Sequence, residues 1–306
     1  MKFSVLTGNH NTHNGIADTV IFLRNALRDC GQDSQINVSI SADRVNVMME
    51  HFPEPAHLEA IEKGYRVGAR YIVIGTEPIV GGVFNGGVVS NHWHYGNAEY
   101  WRKRTEGFVQ AARYCEAVWV FAESMIEGYR ALLPDKPVLF LPHGHVEGFR
   151  RFEHLPDHAK DIDFYGSGSL TDYRQGIVAA LEKRGHRVRF DQPGYADYLR
   201  FENLSRSKVC LNLRLSPNNA IPSVSRMHFN IEHANYVAHE KYELNCPLDP
   251  YVLHLPADDF VDWAEAALEQ PDKRKLAEGI LDRFRTEMPM SRLLPPILDA
   301  SLSHLS

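Results

Sequence analysis

Apolar positions along the chain follow two alternating rhythms. Short runs are almost continuously apolar: "KFSVL" at 2–6, "RYIVIG" at 70–75, "AVWVFA" at 117–122 and "PVLFLP" at 137–142. Runs of that length and kind fit parallel strands covered on both faces. Longer segments with helical spacing lie between them. In "GIADTVIFLRNALRDCG", Ile16, Val20, Leu23 and Leu27 share one face, and Gly31 can end the helix. "QINVSIS" then predicts a second strand, so the chain opens as a βαβ unit. "LEAIEKGYRVGA", "YWRKRTEGFVQAARYC" and "MIEGYRALLP" predict the helices that follow.

A polar stretch, "HVEGFRRFEHLPDHAK" at 145–160, interrupts this alternation. It restarts with the strand "DIDFYGS", the helix-and-strand segments "YRQGIVAALEKRGHRVRF" and "YLRFENLSRSKVCLNLRL", and then "SRMHFNIEHANYVAHEK". "FVDWAEAALEQPDKRKLAEGILDRFRTEM" predicts terminal helices. The expected architecture is α/β, with two Rossmann-like doubly wound domains. The first spans residues 1–145, a linker 146–160, the second 161–285, and a helical tail able to pack back on the first domain 286–306.

A length of 306 residues suits two domains of about 150 each. The formal net charge of -6 gives no sign of an electrostatic grip on a nucleic-acid backbone. Cys30, Cys115, Cys210 and Cys246 form no CxxC pair. With no signal peptide and no apolar run of membrane-spanning length, they read as reduced thiols of a cytoplasmic protein without a transmembrane segment.

Specific residues narrow the fold. "DIDFYGSGSLTDYRQGIVAALEKRGHRV" resembles the start of the donor domain in spore-maturation-type and family-one-like glycosyltransferases of the glycosyltransferase B fold. There a "D-[IV]-x-F-x-G" strand runs into a loop, an Arg-bearing helix and a "GH.V" turn. "SKVCLNLRLSPNN…SRMHFNIEHANYVAHEK" resembles the later "LN" strand and "R-x-x-x-x-x-E" helix, and "YVLHLPADDFVDWAEAALEQPDKRKLAEG" the closing helices. The resemblance is good over 161–285, looser over 70–150 and weak before that. It implies two domains facing a cleft and a metal-independent transfer of sugar from a nucleotide-sugar donor to an acceptor hydroxyl. The donor is a substrate, so no cofactor is expected. The acceptor (glycan, lipid-linked, protein or small molecule), the sugar, the stereochemistry and the oligomeric state stay open. Two alternatives also stand: a nucleotide-sugar epimerase or hydrolase on the same fold, and a non-catalytic nucleotide- or glycan-binding module.

The matched register assigns candidate residues. Glu232 falls on the helix, where the family places a glutamate against the donor ribose. Glu240 falls at the end of the next strand. Glu232 and Glu240 have the Glu-x7-Glu spacing of many retaining enzymes, but the family's first glutamate would fall at Val224, so the spacing carries no argument for retention. Gly166, Ser167, Gly168 and Ser169 form a small-residue loop between strand and helix, suited to a diphosphate. An ordinary strand-to-helix turn would look the same. Arg174 could bridge phosphate oxygens or simply face solvent. Ser223, Ser225 and Arg226 could neutralise a departing diphosphate, with Ser225 alternatively a helix cap. Arg214 and Asn218 are further candidates for the nucleotide pocket.

On the acceptor side, His10 and His13 in the first strand-to-helix loop are candidate general bases, with Asp18 to orient one of them. Surface or capping roles would explain the same histidines. Glu77, His92 and His94 are further acceptor-side candidates, the last two within the His- and aromatic-rich "SNHWHYGNAEYW". Sixteen histidines invite a metal, yet His92 with His94, or His143 with His145, lacks a compact third ligand, so no metal site is expected.

Overall fold

The computed structural model describes residues 1–7, 13–52, 54–87, 97–217 and 223–303, without the side chains of 13–15. His10, His92, His94 and Asn218, and the side chain of His13, lie outside the described residues. The chain divides into two compact units. One is Met1–Pro142 with Met290–Ser306, and the other is His143–Pro289.

In the first unit the order is β1 Lys2–Leu6, α1 His13–Asp29, β2 Asp33–Asn37, β3 Val45–Met49, α2 Pro55–Arg66 and β4 Arg70–Gly75. A short antiparallel hairpin of β5 Ile79–Val80 and β6 Val83–Phe84 follows. Next come α3 Ala98–Ala112, β7 Ala117–Val120, α4 Ile126–Leu132 and β8 Val138–Phe140. Six strands form one parallel sheet in the order β2-β1-β3-β4-β7-β8. Tyr71, Ile72, Val73 and Ile74 of β4 and all four residues of β7 are fully buried, as strands with two covered faces must be.

The terminal helices α10 Met290–Leu293 and α11 Pro295–Leu302 belong to this unit. The Cys30 thiol donates to the Met290 carbonyl at 3.4 Å. The buried Trp119 indole donates to Ser301 Oγ at 2.8 Å, so the indole N–H is satisfied inside the core.

The second unit contains β9 Ile162–Ser167, α5 Asp172–Lys183, β10 Val188–Asp191, α6 Asp197–Ser205, β11 Ser207–Asn212, α7 Val224–Glu232, β12 Val237–Glu240, β13 Leu253–Leu255, α8 Phe260–Leu268 and α9 Lys273–Glu287. Its five strands are also all parallel, in the order β10-β9-β11-β12-β13. Phe164, Val209, Leu211 and Ala238 from the strands pack with Leu181, Phe260 and Ala264 from the helices. Residues 146–160 fall inside this unit. Their polar look hides Val146 and Phe149, both buried, and Arg151, whose guanidinium lies 4.8 Å from the centre of the Phe201 ring.

Besides the short hairpin of β5 and β6, two strands of the parallel sheets go unmarked by the apolar pattern. β3, "VNVMM", is buried throughout, but its central Asn46 breaks the run. The Asn46 amide donates to the carbonyls of Ser41, Arg44 and Arg70 and accepts from the Ser41 N–H. A polar residue thus occupies a core position at no cost in unmade hydrogen bonds. β13 is only three residues long. Among the described residues, no helix is long and apolar enough to cross a membrane.

Candidate functional site

In the second sheet the chain steps from β9 to β10 on one side, then crosses to β11 on the other. An open parallel sheet leaves a ligand crevice at such a reversal, outside the carboxyl ends of the two strands. The residues delivered there are Ser167, Gly168 and Ser169 from β9, and Asn212, Leu213 and Arg214 from β11. The geometry of the sheet therefore puts most of the candidate donor loop in one place.

The two glycines of that loop have different reasons. A Cβ at Gly166 would lie 2.5 Å from the Phe190 ring, so Gly166 serves packing. Gly168 has φ +116°, a conformation that L side chains rarely adopt. A Cβ there would also stand 2.7 Å from Arg226 Nη2 and 3.1 Å from Arg174 Nη1. The bare backbone of Gly168 thus lies against two guanidinium groups. The helix α5 that follows is capped by Thr171, whose Oγ1 accepts from Arg174 N and donates to the Leu215 carbonyl.

The three arginines at this end of the sheet differ in what meets their charge. Arg174 is buried, and donates through Nε to the Arg214 carbonyl, through Nη1 to that of Ser169 and through Nη2 to that of Leu213, each at 2.8 Å. It ties the β9 loop to the β11 loop and is not a solvated helix residue. Arg214 meets the fully buried carboxylate of Glu240, with Nε 3.3 Å from Oε1, and its backbone N–H donates to Oε2 at 2.8 Å. Arg226, in the first turn of α7, donates to the amide oxygen of Asn212 at 3.1 Å, and among the described residues no carboxylate pairs with it. Burial pulls its pKa below the ordinary arginine value. A desolvated cation without a counter-charge is costly, and clusters of such groups mark binding sites.

Glu232 and Glu240 close α7 and β12, as the register predicts. Their carboxylates serve separate networks. Glu240 accepts from the Tyr173 hydroxyl and from Arg214. Glu232 is 2% exposed and sits six residues, roughly 9 Å of helix, beyond Arg226. It accepts from the Val146 N–H at 2.8 Å and from His145 Nδ1 at 3.0 Å, and lies 3.3 Å from His228 Nε2. Burial alone would raise its pKa, but the hydrogen bonds of His145 and His228 overcome that and hold it at about 2. Burial would likewise lower His145, yet the Glu232 hydrogen bond and charge leave it raised. Its oxygens are thus engaged by His145, Val146 and His228 of its own unit, and a ribose contact by Glu232 would have to share them.

Ser223 precedes α7 without a side-chain capping bond, and Ser225 lies within the helix, so neither hydroxyl caps it. Ser225 Oγ is instead 3.3 Å from His143 Nε2. Burial and the neighbouring His228 hold His143 well below the usual histidine range. In the first unit, Asp18 is half-buried in α1. Glu77 follows β4, accepts from Asn85 Nδ2 at 3.0 Å and stands 3.7 Å from the Arg104 guanidinium.

Three residues of the crevice wall escaped the sequence reading: Asn212, His239 and Tyr173. Asn212 is fully buried, accepts from Arg226 and donates through Nδ2 to His239 Nδ1 at 2.8 Å. Burial, then the nearby His254, Arg226 and Arg214, hold His239 down at about 3, so its ring is neutral. Asn212 lies in the "LN" strand motif, but its role is hidden there because its partners lie 14 and 27 residues away and no spacing announces them.

Two helix-covered parallel sheets, each with a reversal of strand order, give the chain the glycosyltransferase B fold. It is similar in structure to an α-glucosyltransferase solved in complex with UDP and a 13-mer DNA containing an HMU base, with a TM-score of 0.62 at 9% identity, covering 98% of this chain and 99% of that one. It is also similar to T4 phage BGT in complex with UDP and Mn2+, with a TM-score of 0.54, 12% identity and the same coverage. A third match is the DNA-modifying enzyme β-glucosyltransferase, solved in the presence and absence of uridine diphosphoglucose, with a TM-score of 0.54, 10% identity and again 98% and 99% coverage. At these identities the likeness is one of fold. No family model matches the chain, and no curated protein matches it in sequence.

Proposed function

We propose that the chain is a glycosyltransferase that takes its sugar from a nucleoside diphosphate sugar bound at the carboxyl ends of β9 and β11. The observation that carries this reading is Arg226, a desolvated guanidinium without a carboxylate among the described residues, set against the bare backbone of Gly168. A diphosphate is the kind of group that fits there. It brings the missing negative charge, accepts paired guanidinium hydrogen bonds, and needs close approach to backbone. The neighbours of like fold were solved with UDP or UDP-glucose, which agrees with this chemistry. The finer kinship with spore-maturation-type enzymes rests on the order of motifs over 161–285.

In the reaction the bond between the anomeric carbon and the diphosphate oxygen breaks, and that oxygen keeps the electron pair. The acceptor oxygen bonds to the anomeric carbon and gives up its proton to a base. Arg226 supports the negative charge growing on the diphosphate, so this role needs no metal bridging the phosphates. Arg174 holds the loop in shape through its three carbonyl contacts. His13 and His10, with Asp18, are the proposed source of the base.

A panel of nucleoside diphosphates and their sugars, read by thermal shift, tests the donor half. The expected result is a rise in melting temperature with nucleoside diphosphates and their sugars but not with the free sugars, scaling as RT ln(1 + [L]/Kd). Labelled-sugar transfer is then followed with glycan, lipid-linked, protein and small-molecule hydroxyls, and with DNA carrying a hydroxymethylated base, in view of the DNA in one neighbour's complex. Absence of any shift with nucleoside diphosphates would remove the reading.

A further inference from the structure

We propose that His239, Asp249 and His254 form a binding site for a transition-metal dication of the zinc class. Each offers one ligand atom, and the three atoms lie within 4.8 Å of one another. Tetrahedral zinc with nitrogen and oxygen ligands sets them roughly 3.3–3.5 Å apart. A small closing movement of the side chains therefore completes the set. Two imidazoles and one carboxylate suit zinc and its neighbours, whereas magnesium and calcium prefer oxygen ligands alone.

A second observation points to a ligand. His239 is 1% exposed, and its Nε2 is buried without a hydrogen-bond partner. Buried polar atoms in native proteins are nearly always satisfied, so this one calls for a partner: an acceptor while it carries the ring proton, a metal once that proton moves to Nδ1. His254 Nδ1 is buried and unpartnered as well, while its Nε2 lies 2.9 Å from the Asp249 carbonyl. A backbone carbonyl behind the ring is a common way of holding a metal-binding histidine. Asp249 and His254 also line a cavity of about 500 Å3 together with Tyr242 and Cys246, from which water or a small ligand could supply the fourth position.

Asn212 sets the condition on which His239 enters. Arg226 donates to the Asn212 amide oxygen, so the amide nitrogen donates to His239 Nδ1 and the proton of the neutral ring sits on Nε2. To bind a metal through Nε2, the ring moves that proton to Nδ1. Asn212 must then turn its oxygen toward His239 and its nitrogen toward Arg226. That places two donors face to face. An aspartate at 212 would offer an oxygen to both neighbours and remove the conflict.

The test is a Zn2+ titration of protein first dialysed against chelator, with bound metal counted by mass spectrometry and melting followed in parallel. The expectation is about one equivalent bound and a higher melting temperature, with no such response to Mg2+ or Ca2+. His254→Gln and Asp249→Asn should each weaken Zn2+ binding by at least about tenfold, and Asn212→Asp should tighten it. Less than a fifth of an equivalent on the folded wild type, by rough count, or undiminished binding by His254→Gln and Asp249→Asn, overturns the site. Unchanged or weaker binding by a folded Asn212→Asp removes His239 from it.

Discussion

Arg104 and Arg226 both bring a buried guanidinium to the strand ends of a parallel sheet, one in each unit. Arg104 reaches from α3 to Glu50, which follows β3, and the two make a direct ion pair. Glu50 is 1% exposed and also accepts from the Thr76 N–H and hydroxyl. Glu77 adds a second carboxylate at 3.7 Å, and the Phe84 and Trp101 rings lie 5.5 Å from the guanidinium. Burial works to lower the pKa of Arg104, but Glu50 and Glu77 leave it raised. For Arg226, burial prevails and the pKa falls. The first arginine is complete within its own unit. The second has one amide contact and, among the described residues, no carboxylate to meet its charge. Burial of an arginine therefore says little about function; the state of its counter-charge says much more.

The most damaging way to probe the contrast is to take the counter-charge from the complete site. Glu50→Gln leaves Arg104 buried without its main partner, and breaking a buried pair from one side typically costs about 3–5 kcal/mol. Chemical denaturation should show a loss of that order, with nucleotide binding retained in the fraction that folds. A loss below about 1 kcal/mol would mean that the ion pair contributes little and that the comparison has no complete member.

The Glu232 network gives the next effect, one with a pH signature. The carboxyl falls from an ordinary 4.5 to about 2, a shift worth roughly 3 kcal/mol, shared with its partners. That contribution is present above pH 4.5 and is lost as pH falls toward 2. His145 has its pKa raised above 6.5, so its contribution is full below 6.5 and is lost as pH rises through the raised value. His228, Glu147 and the Val146 N–H also face the pair and shape the curve. Stability measured against pH should differ most between wild type and Glu232→Gln from about 4.5 to 6.5, and the gap should narrow on both sides. A gap independent of pH would show that the ion pair is not its source. Nucleoside diphosphate affinity should change less than about threefold if the carboxylate serves only the network inside the unit. A tenfold loss in a folded variant would return Glu232 to the ribose.

These cases show what could be read from the chain and why. Strands β4 and β7 were legible because burial on two faces demands nearly unbroken apolar runs. β3 was not, because the hydrogen bonds that make Asn46 acceptable in a core are invisible in the pattern. The position of Glu232 at the end of a helix was legible too, but its partners come from a segment 86 and 87 residues earlier. The same limit hid the Glu50–Arg104 pair, 54 residues apart, and the His239, Asp249 and His254 cluster. Local physics writes itself into spacing, and a charge pair closed by the tertiary fold does not.

The smallest expected effect bears most directly on the comparison, because it separates the two arginines by their opposite responses. Arg226→Met keeps most of the apolar stem and removes the charge. Replacing a buried cation that lacks a counter-ion by a hydrophobic group relieves a desolvation penalty, so the melting temperature should hold or rise. The nucleoside diphosphate that stabilises the wild type should bind about 10- to 100-fold more weakly, the range of one to two charged hydrogen bonds. The loss should shrink with rising salt if it is largely Coulombic. Arg104→Met should do the reverse, leaving Glu50 buried without its arginine and lowering stability without a matching change in nucleoside diphosphate affinity. If Arg226→Met instead unfolds the protein by several kcal/mol, the residue is structural in the same sense as Arg104. If it folds and binds the nucleoside diphosphate as tightly as wild type, the anion does not depend on this guanidinium, and Arg226 is removed from the site.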